Sequence, residues 1–298
     1  MKIPNGKVAI VGRPNVGKST ILNKVANRQH SITANKAQTT RGTVIYNHTS
    51  ETLCVKFVDT AGYVINTKHL LDKLLNKSII SWSFDCDLIF FVVSAGTWGI
   101  QEDYLLEQIQ KLEKRIVLVI NKTDRLDSYD LIDFIKFMSG KFSDKDMVSV
   151  SAIKNVKPIL NFLKVNLPIK DVKEDNVPLL ETPKELIISE VVREQIFRFT
   201  GDEVPRSSAV KVVKFEDGEN LIKIEANILV EKKSHRKIMV GSGGNKIKEI
   251  GIISRSKLEK MLDKKVFLKL LVFVEPNWAN KEDILLSYNA LSLKEYHN

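Results

Sequence analysis

Cysteine is nearly absent from this chain, with Cys54 and Cys86 its only two examples. Neither has a second cysteine at metal-ligand spacing, so a zinc ribbon and a disulfide framework are both excluded. Each thiol sits in or beside an apolar run and is expected as a small buried hydrophobe. So few thiols suit a reducing cytosol, and a cytoplasmic location is expected. No apolar stretch approaches the ~18 residues that suggest a membrane span. The N-terminus leads straight into a strand, without the apolar core and small-residue cleavage site of a signal peptide. Long repeats and low-complexity segments are missing as well. His30, His48, His69, His235 and His297 show no ligand spacing and read as structural or surface groups. Trp82, Trp98 and Trp278 carry no assignment from the sequence.

What is present is ordinary globular composition, 43% hydrophobic and 28% charged, with a formal net charge of +10. The excess of base points to a polyanionic partner, nucleic acid or an anionic membrane surface. The length of 298 residues suits two domains. Up to about residue 165, short apolar runs alternate with helical patterns. Val8–Val11, Leu53–Val58, Leu88–Val93, Ile116–Ile120 and Met147–Val150 read as strands; Thr20–Ala26, His69–Ser81, Gln101–Leu112 and Leu131–Met138 read as helices. Such alternation implies βαβ units around a largely parallel sheet. The polar stretch 169–182, bracketed by Pro168 and containing Pro178, has linker composition. It separates a domain at 1–168 from one at 183–298. The second domain reads helix (183–199), strand (208–215), strand (221–230), short helix (235–240), glycine-rich break, helix (246–262) and strand (266–274), with a short tail helix.

The first domain carries a phosphate-binding loop, Gly12-Arg13-Pro14-Asn15-Val16-Gly17-Lys18-Ser19, between a strand and a helix that continues at Thr20. Glycines let the backbone wrap around phosphates, and the helix N-terminus favours negative charge there. Lys18 would reach the β- and γ-phosphates, and Ser19 would ligate Mg²⁺. By itself the pattern also arises in an ordinary tight turn. Three further fragments follow in order, each after a strand. Asp59-Thr60-Ala61-Gly62 would hold the Mg²⁺ shell through Asp59 and offer the Gly62 amide to the γ-phosphate. Asn121-Lys122-Thr123-Asp124 places a carboxylate where it can accept from guanine N1–H and the 2-amino group, a donor pair that adenine lacks. Ser151-Ala152 would back the guanine O6 with a backbone amide. Four such fragments in order point to one guanine-nucleotide site, with GTP and GDP as ligands. The residue after Gly62 is Tyr63, not a glutamine able to orient water, so intrinsic hydrolysis is expected to be slow.

In the second domain, Gly241-Ser242-Gly243-Gly244 lies between two helices. Such a loop lets a nucleic-acid backbone approach closely, although a bare helix–helix turn has the same look. Charge separates the two readings. From Lys232 to Lys269 there are 12 Lys and Arg against 3 acids, whereas residues 176–298 hold 21 against 18. Lys237, Lys246 and Lys248 flank the loop and are the expected phosphate contacts. Aromatics are scarce here, so ring stacking is not expected to contribute. Ile238 and Ile247 could floor a base groove, but core packing is the expected role for both.

The first domain resembles the small GTPases of the translation-factor class, and the second domain is similar to a type II KH domain. Lys36-Ala37-Gln38-Thr39-Thr40-Arg41, Glu190-Val191-Val192-Arg193-Glu194, the run Phe199 to Pro205, Glu231 and the Gly241–Gly251 region narrow the resemblance to the Era family. It covers nearly the whole chain. It implies an α/β P-loop GTPase domain with a mixed, mostly parallel sheet, followed by an α+β KH domain. It implies that Thr40, with Thr39 as the competing assignment, closes onto Mg²⁺ and the γ-phosphate. The implied partner is the 3′ end of small-subunit (16S) ribosomal RNA, and the implied role is GTP-gated assembly of the 30S subunit. A monomer is expected, and association with the inner membrane surface is a further reading. The chain departs from the family in having Ala61 where proline is usual and Arg206 where an aromatic or histidine is common.

Overall fold

The computed structural model describes residues 2–25, 43–65, 67–171, 183–200 and 203–288. The apolar runs of the first half become strands β1 (Lys2–Val11), β2 (Val44–Ser50), β3 (Leu53–Asp59), β4 (Leu88–Ser94), β5 (Arg115–Asn121), β6 (Met147–Ser149) and β7 (Ile169–Asp171). They form one sheet in the order β2-β3-β1-β4-β5-β6, with β7 added against β1. The pairs β1–β3, β1–β4, β4–β5 and β5–β6 are parallel, while β2–β3 and β1–β7 are antiparallel. Between the strands run α1 (Lys18–Val25), α2 (Leu70–Phe84), α3 (Ile100–Gln110), α4 (Ser128–Ser139) and α5 (Lys157–Asn166). Helices on both faces explain why β4 is buried at every position from Leu88 to Val93. Val8, Ile10, Phe57, Phe90, Val117 and Val119 meet Ile21, Leu22, Ile159 and Leu163 in the core.

Parallel strands bring their carboxyl ends to one edge. Ile10 lies beside Asp59, Ser94 beside Asn121, and Ile120 beside Ser149. All four sequence fragments of the nucleotide motif therefore leave the sheet at the same rim. Two strands were not anticipated. β2 has a weak pattern, apolar only at Val44–Tyr46 and polar beyond, yet it zips onto β3 across a tight hairpin. β7 lies inside the stretch read as linker and pairs Ile169 with Pro4 and Asp171 with Lys2. Cys86 is buried as expected, but Cys54 is only half-buried, because it sits on the less covered side of β3 near Thr49.

The chain divides into two compact units, mainly N-terminal and mainly C-terminal of residue 182. The second contains α6 (Lys184–Phe199), α7 (Glu203–Arg206), β8 (Ser208–Asp217), β9 (Leu221–Val230), α8 (Lys233–Val240), α9 (Asn245–Leu262), β10 (Lys265–Val274) and α10 (Glu282–Tyr288). Its sheet order is β10-β9-β8, with β9 and β10 parallel and β8 antiparallel to β9. The expected helix–strand–strand–helix–helix–strand order is present, with the short α7 added. Alternate residues of β9 from Ile222 to Val230 are buried, and Ala226, Ile228 and Val230 share a core with Val192, Ile196, Met239 and Ile250. Ile228 is completely buried there. Replacing it with alanine is expected to destabilise the second unit by about 2–5 kcal/mol through lost transfer energy and a residual cavity. A fall in the urea midpoint of that unit's unfolding is the readout.

Candidate functional site

The loop between β1 and α1 is held from three sides. A Cβ on Gly17 would lie 2.2 Å from Asn121 Nδ2, and its φ is +99°, so only glycine fits. Lys18, the first residue of α1, folds its ammonium under the loop and donates to the Gly12 carbonyl at 2.9 Å and the Arg13 carbonyl at 3.0 Å. Burial pushes its pKa down to about 8, and the nearby Asp59 carboxylate partly opposes that shift. Ser19 Oγ donates to Asp59 Oδ2 at 2.9 Å. Beyond β3, Thr60 Oγ1 donates to the Ile10 carbonyl at 2.8 Å, and the Tyr63 amide donates to the Gly12 carbonyl at 3.2 Å. Gly62 backs so closely onto Pro14 that a Cβ would lie 2.7 Å from the Pro14 nitrogen. Ala61, the departure from the resembling family, is buried. Thr20 is half-buried in the first turn of α1. Thr39 and Thr40 lie outside the described residues.

Asn121 joins the remaining loops to this one. Its side chain is 1% exposed. Its Nδ2 donates to the Val16 carbonyl at 2.8 Å, and its Oδ1 accepts from the Ala152 amide at 3.0 Å. Of the Ser151-Ala152 pair, expected to offer a backbone amide to the guanine O6, the Ala152 amide is engaged with Asn121. Lys122 has a left-handed backbone (φ +61°) and donates its ammonium to the Asn15 carbonyl. Burial lowers the Lys122 pKa. Asp124 accepts from Ser151 Oγ, and that bond holds its carboxyl below the usual range. The predicted nucleotide residues that are described thus meet at one rim.

Two neighbours on α3, Tyr104 and Glu102, carry no motif signal. Tyr63 is buried, with its ring centroid 6.3 Å from that of Tyr104 on α3. Arg13 Nη1 donates to Glu102 Oε1 at 2.8 Å. An acid in the first turn of a helix is common enough that Glu102 could not have been singled out.

In the second unit, Gly241, Gly243 and Gly244 all have positive φ, at +73°, +59° and +81°. They turn the chain sharply from α8 into α9. Lys237 and Lys248 are exposed and Lys246 is half-buried, while Ser242 is exposed at the loop tip. Beside the loop, Ile247, Lys248, Gly251, Ile252 and Arg255 of α9 and Leu268 and Leu270 of β10 line a groove of about 280 Å³. Its floor is apolar, and Lys248 and Arg255 bring charge to it. Ile247 both lines this groove and packs against the core. Ile238, expected in the core, is instead 43% exposed, because α8 turns that side away from the sheet. His235 is buried, with Nδ1 3.0 Å from Ser207 Oγ, and Trp278 Nε1 donates to the Ser207 carbonyl at 3.0 Å.

The buried Lys18 gives a pH signature. Its folded pKa, about 8, lies below the unfolded 10.5. Between those values the unfolded chain binds more protons, so stability rises with pH. In nucleotide-free protein this group is expected to add on the order of 3 kcal/mol from pH 8 to 10.5. Urea midpoints of wild type and Lys18→Met across that range measure it, and wild type should gain stability relative to the variant as pH rises.

Comparison with known proteins agrees with both units. A family model described as "50S ribosome-binding GTPase" matches residues 7–122, and one described as "KH domain" matches residues 203–279. GTPase Era of Haemophilus influenzae is 38% identical over 288 residues, 95% of each chain. GTPase Era of Histophilus somni is 36% identical over 95% of this chain and 95% of its own. Among solved structures, Era in complex with MgGDPNP and nucleotides 1506–1542 of 16S ribosomal RNA superposes with a TM-score of 0.90. It is 29% identical and covers 96% of this chain and 98% of its own. A tyrosine-to-alanine variant of Aquifex aeolicus Era bound to GDP and AlF4⁻ gives a TM-score of 0.89 at 30% identity, covering 96% and 99%. With a strand-edge loop cluster of this kind and that similarity along almost its whole length, the chain belongs to the Era family of GTPases.

Proposed function

We propose that the chain is a GTP-hydrolysing switch whose nucleotide state sets its affinity for the 3′ end of small-subunit ribosomal RNA, in the service of 30S assembly. The observation that carries the nucleotide half is Asn121, bonded at once to the phosphate loop and to the Ser151-Ala152 loop. In this reading residues 12–20 wrap the phosphates, and Lys18, its ammonium held by the Gly12 and Arg13 carbonyls, turns its remaining donor to the β- and γ-phosphates. Asp124, held by Ser151, reads the guanine edge. Ser19 Oγ and Asp59 Oδ2 lie 2.9 Å apart. A hydroxyl and a carboxylate so placed suit a hard cation that prefers oxygen ligands. They would hold Mg²⁺ together with Thr40, and the ion would neutralise charge on the phosphates. With Tyr63 packed on Tyr104 and no glutamine in its place, intrinsic hydrolysis is slow.

The RNA half rests on the groove between α9 and β10 beside the Gly241–Gly244 loop. Amides and the α9 N-terminus meet the RNA backbone, Lys237, Lys246 and Lys248 supply charge, and the apolar floor receives bases. The crystallised Era relative bound to 16S nucleotides 1506–1542 supports this choice of partner. The nucleotide domain, expected at 1–168, extends through β7 to Asp171, and 183–298 form the RNA domain, in a cytoplasmic monomer. Among the described residues no helix is long and apolar enough to cross a membrane. The concentration of base around the glycine loop favours RNA over an anionic membrane surface as the partner.

Asn121→Ala would remove two buried hydrogen bonds and leave the Val16 carbonyl and Ala152 amide unpaired. A stability loss of about 2–4 kcal/mol is expected. GDP affinity is expected to fall by roughly 30-fold, equivalent to about 2 kcal/mol; fluorescent-GDP titration and thermal unfolding read the two effects. For the gating itself, a single-stranded RNA from the 3′ end of the small-subunit ribosomal RNA is titrated at fixed salt, with GDP and then with a non-hydrolysable GTP analogue. Tighter binding with the analogue is expected. Equal binding in both states would sink the gating, and no binding in either would sink the RNA assignment.

A further inference from the structure

Arg13 is the second residue of the phosphate loop, yet its guanidinium turns to α3. Its Nη1 lies 2.8 Å from Glu102 Oε1, and the two side chains are 33% and 3% exposed. A buried carboxylate is costly unless it is paired. Beside a loop that receives a polyanion, it also opposes the ligand by direct repulsion. Both penalties are offset while Arg13 stays on Glu102. That engagement keeps the guanidinium from serving as a counter-charge to the phosphates.

The pair reaches the chemistry through the backbone. The Arg13 carbonyl accepts from Lys18 Nζ at 3.0 Å. The adjoining Gly12 carbonyl accepts from Lys18 Nζ at 2.9 Å and from the Tyr63 amide at 3.2 Å. Holding Arg13 therefore holds the platform on which the lysine ammonium rests. Glu102 is itself well anchored. It lies in the first turn of α3, where the helix dipole favours an acid. Its neighbour Asp103 accepts from Trp98 Nε1 at 2.9 Å and from Lys141 Nζ at 3.0 Å, tying down the start of the helix. Tyr104, the next residue, rests against Tyr63.

We propose that Glu102 is a positioning residue for GTP hydrolysis: through Arg13 it sets the phosphate-loop carbonyls that place Lys18, and Arg13 is an anchor, not a phosphate ligand. This rests on the reading of that loop as the GTP site. Placement counts most where charge develops in the transition state. Loss of the anchor therefore falls on the rate of hydrolysis more than on nucleotide affinity.

The test uses the full chain as wild type, Glu102→Gln, Glu102→Ala and the double variant Arg13→Ala/Glu102→Ala. The double variant removes both charges, so neither is left buried alone. Single-turnover GTP hydrolysis, fluorescent-GDP affinity and thermal unfolding are measured on each. Glu102→Gln is expected to slow hydrolysis about tenfold or more with GDP affinity changed less than about threefold. The double variant is expected to be no slower than Glu102→Ala. Wild-type rates in folded Glu102→Gln and double variants would overturn the proposal and leave Glu102 a packing residue. So would a fall in GDP affinity as large as the fall in rate, which would mark uniform binding. A double variant far slower than Glu102→Ala would show that Arg13 meets the phosphates itself, and would overturn the anchor role. Failure of wild type to bind GDP would instead overturn the site reading on which this one stands.

Discussion

One buried carboxamide organises the nucleotide rim. The loops after β1, β5 and β6 are short, and each leaves the sheet independently. Sheet pairing alone sets their starting points but not their tips. Asn121 sets the tips, giving its donor to the Val16 carbonyl and its acceptor to the Ala152 amide. An aspartate could not supply the donor, and a glutamine would place both atoms one methylene further out. The demand for glycine at residue 17 follows from the same side chain, since the loop must pass within contact of Nδ2. The loops are thus held together because one deeply buried polar group is shared between them.

Much of this was legible because it is local. The phosphate loop, the Asp59–Gly62 fragment and the Asn121–Asp124 fragment each carry their chemistry in a few adjacent residues that follow a strong apolar run. The strand–helix alternation and the order of elements in the second unit were legible for the same reason. What escaped depends on partners distant in sequence. β2 is weak in isolation, and pairing with β3 makes it a strand. Glu102 looks like any acid at a helix start until Arg13 is found against it, 89 residues away. Arg255, Leu268 and Leu270 define a groove only when α9 is laid along β10. Ile238 misled because α8 is too short for its periodicity to show which side meets the sheet.

In the proposed function the two units meet anions by different means. At the first, the backbone dominates: amides, a helix N-terminus and a single buried lysine, with the loop's arginine engaged by a carboxylate. Such a site is specific in shape and is little screened by salt. At the second, many exposed lysines surround a turn of three positive-φ glycines, and the attraction is long-ranged and salt-sensitive. Residues 176–298 hold 21 bases against 18 acids, so the 12 bases facing 3 acids around the glycine loop are a local concentration within that unit.

The antiparallel pairing of Lys2 with Asp171 has a topological consequence. The first and last described residues of the N-terminal unit are register partners on paired strands, so the path of the chain through that unit is nearly a closed ring. A ring has no privileged opening. A short bridge between residues 171 and 2 would let the chain be cut elsewhere, at an exposed turn such as Glu51-Thr52, without breaking a parallel crossover. The same closure means that tension applied along the segment leaving β7 is met in shear by β1, the strand that leads into the phosphate loop.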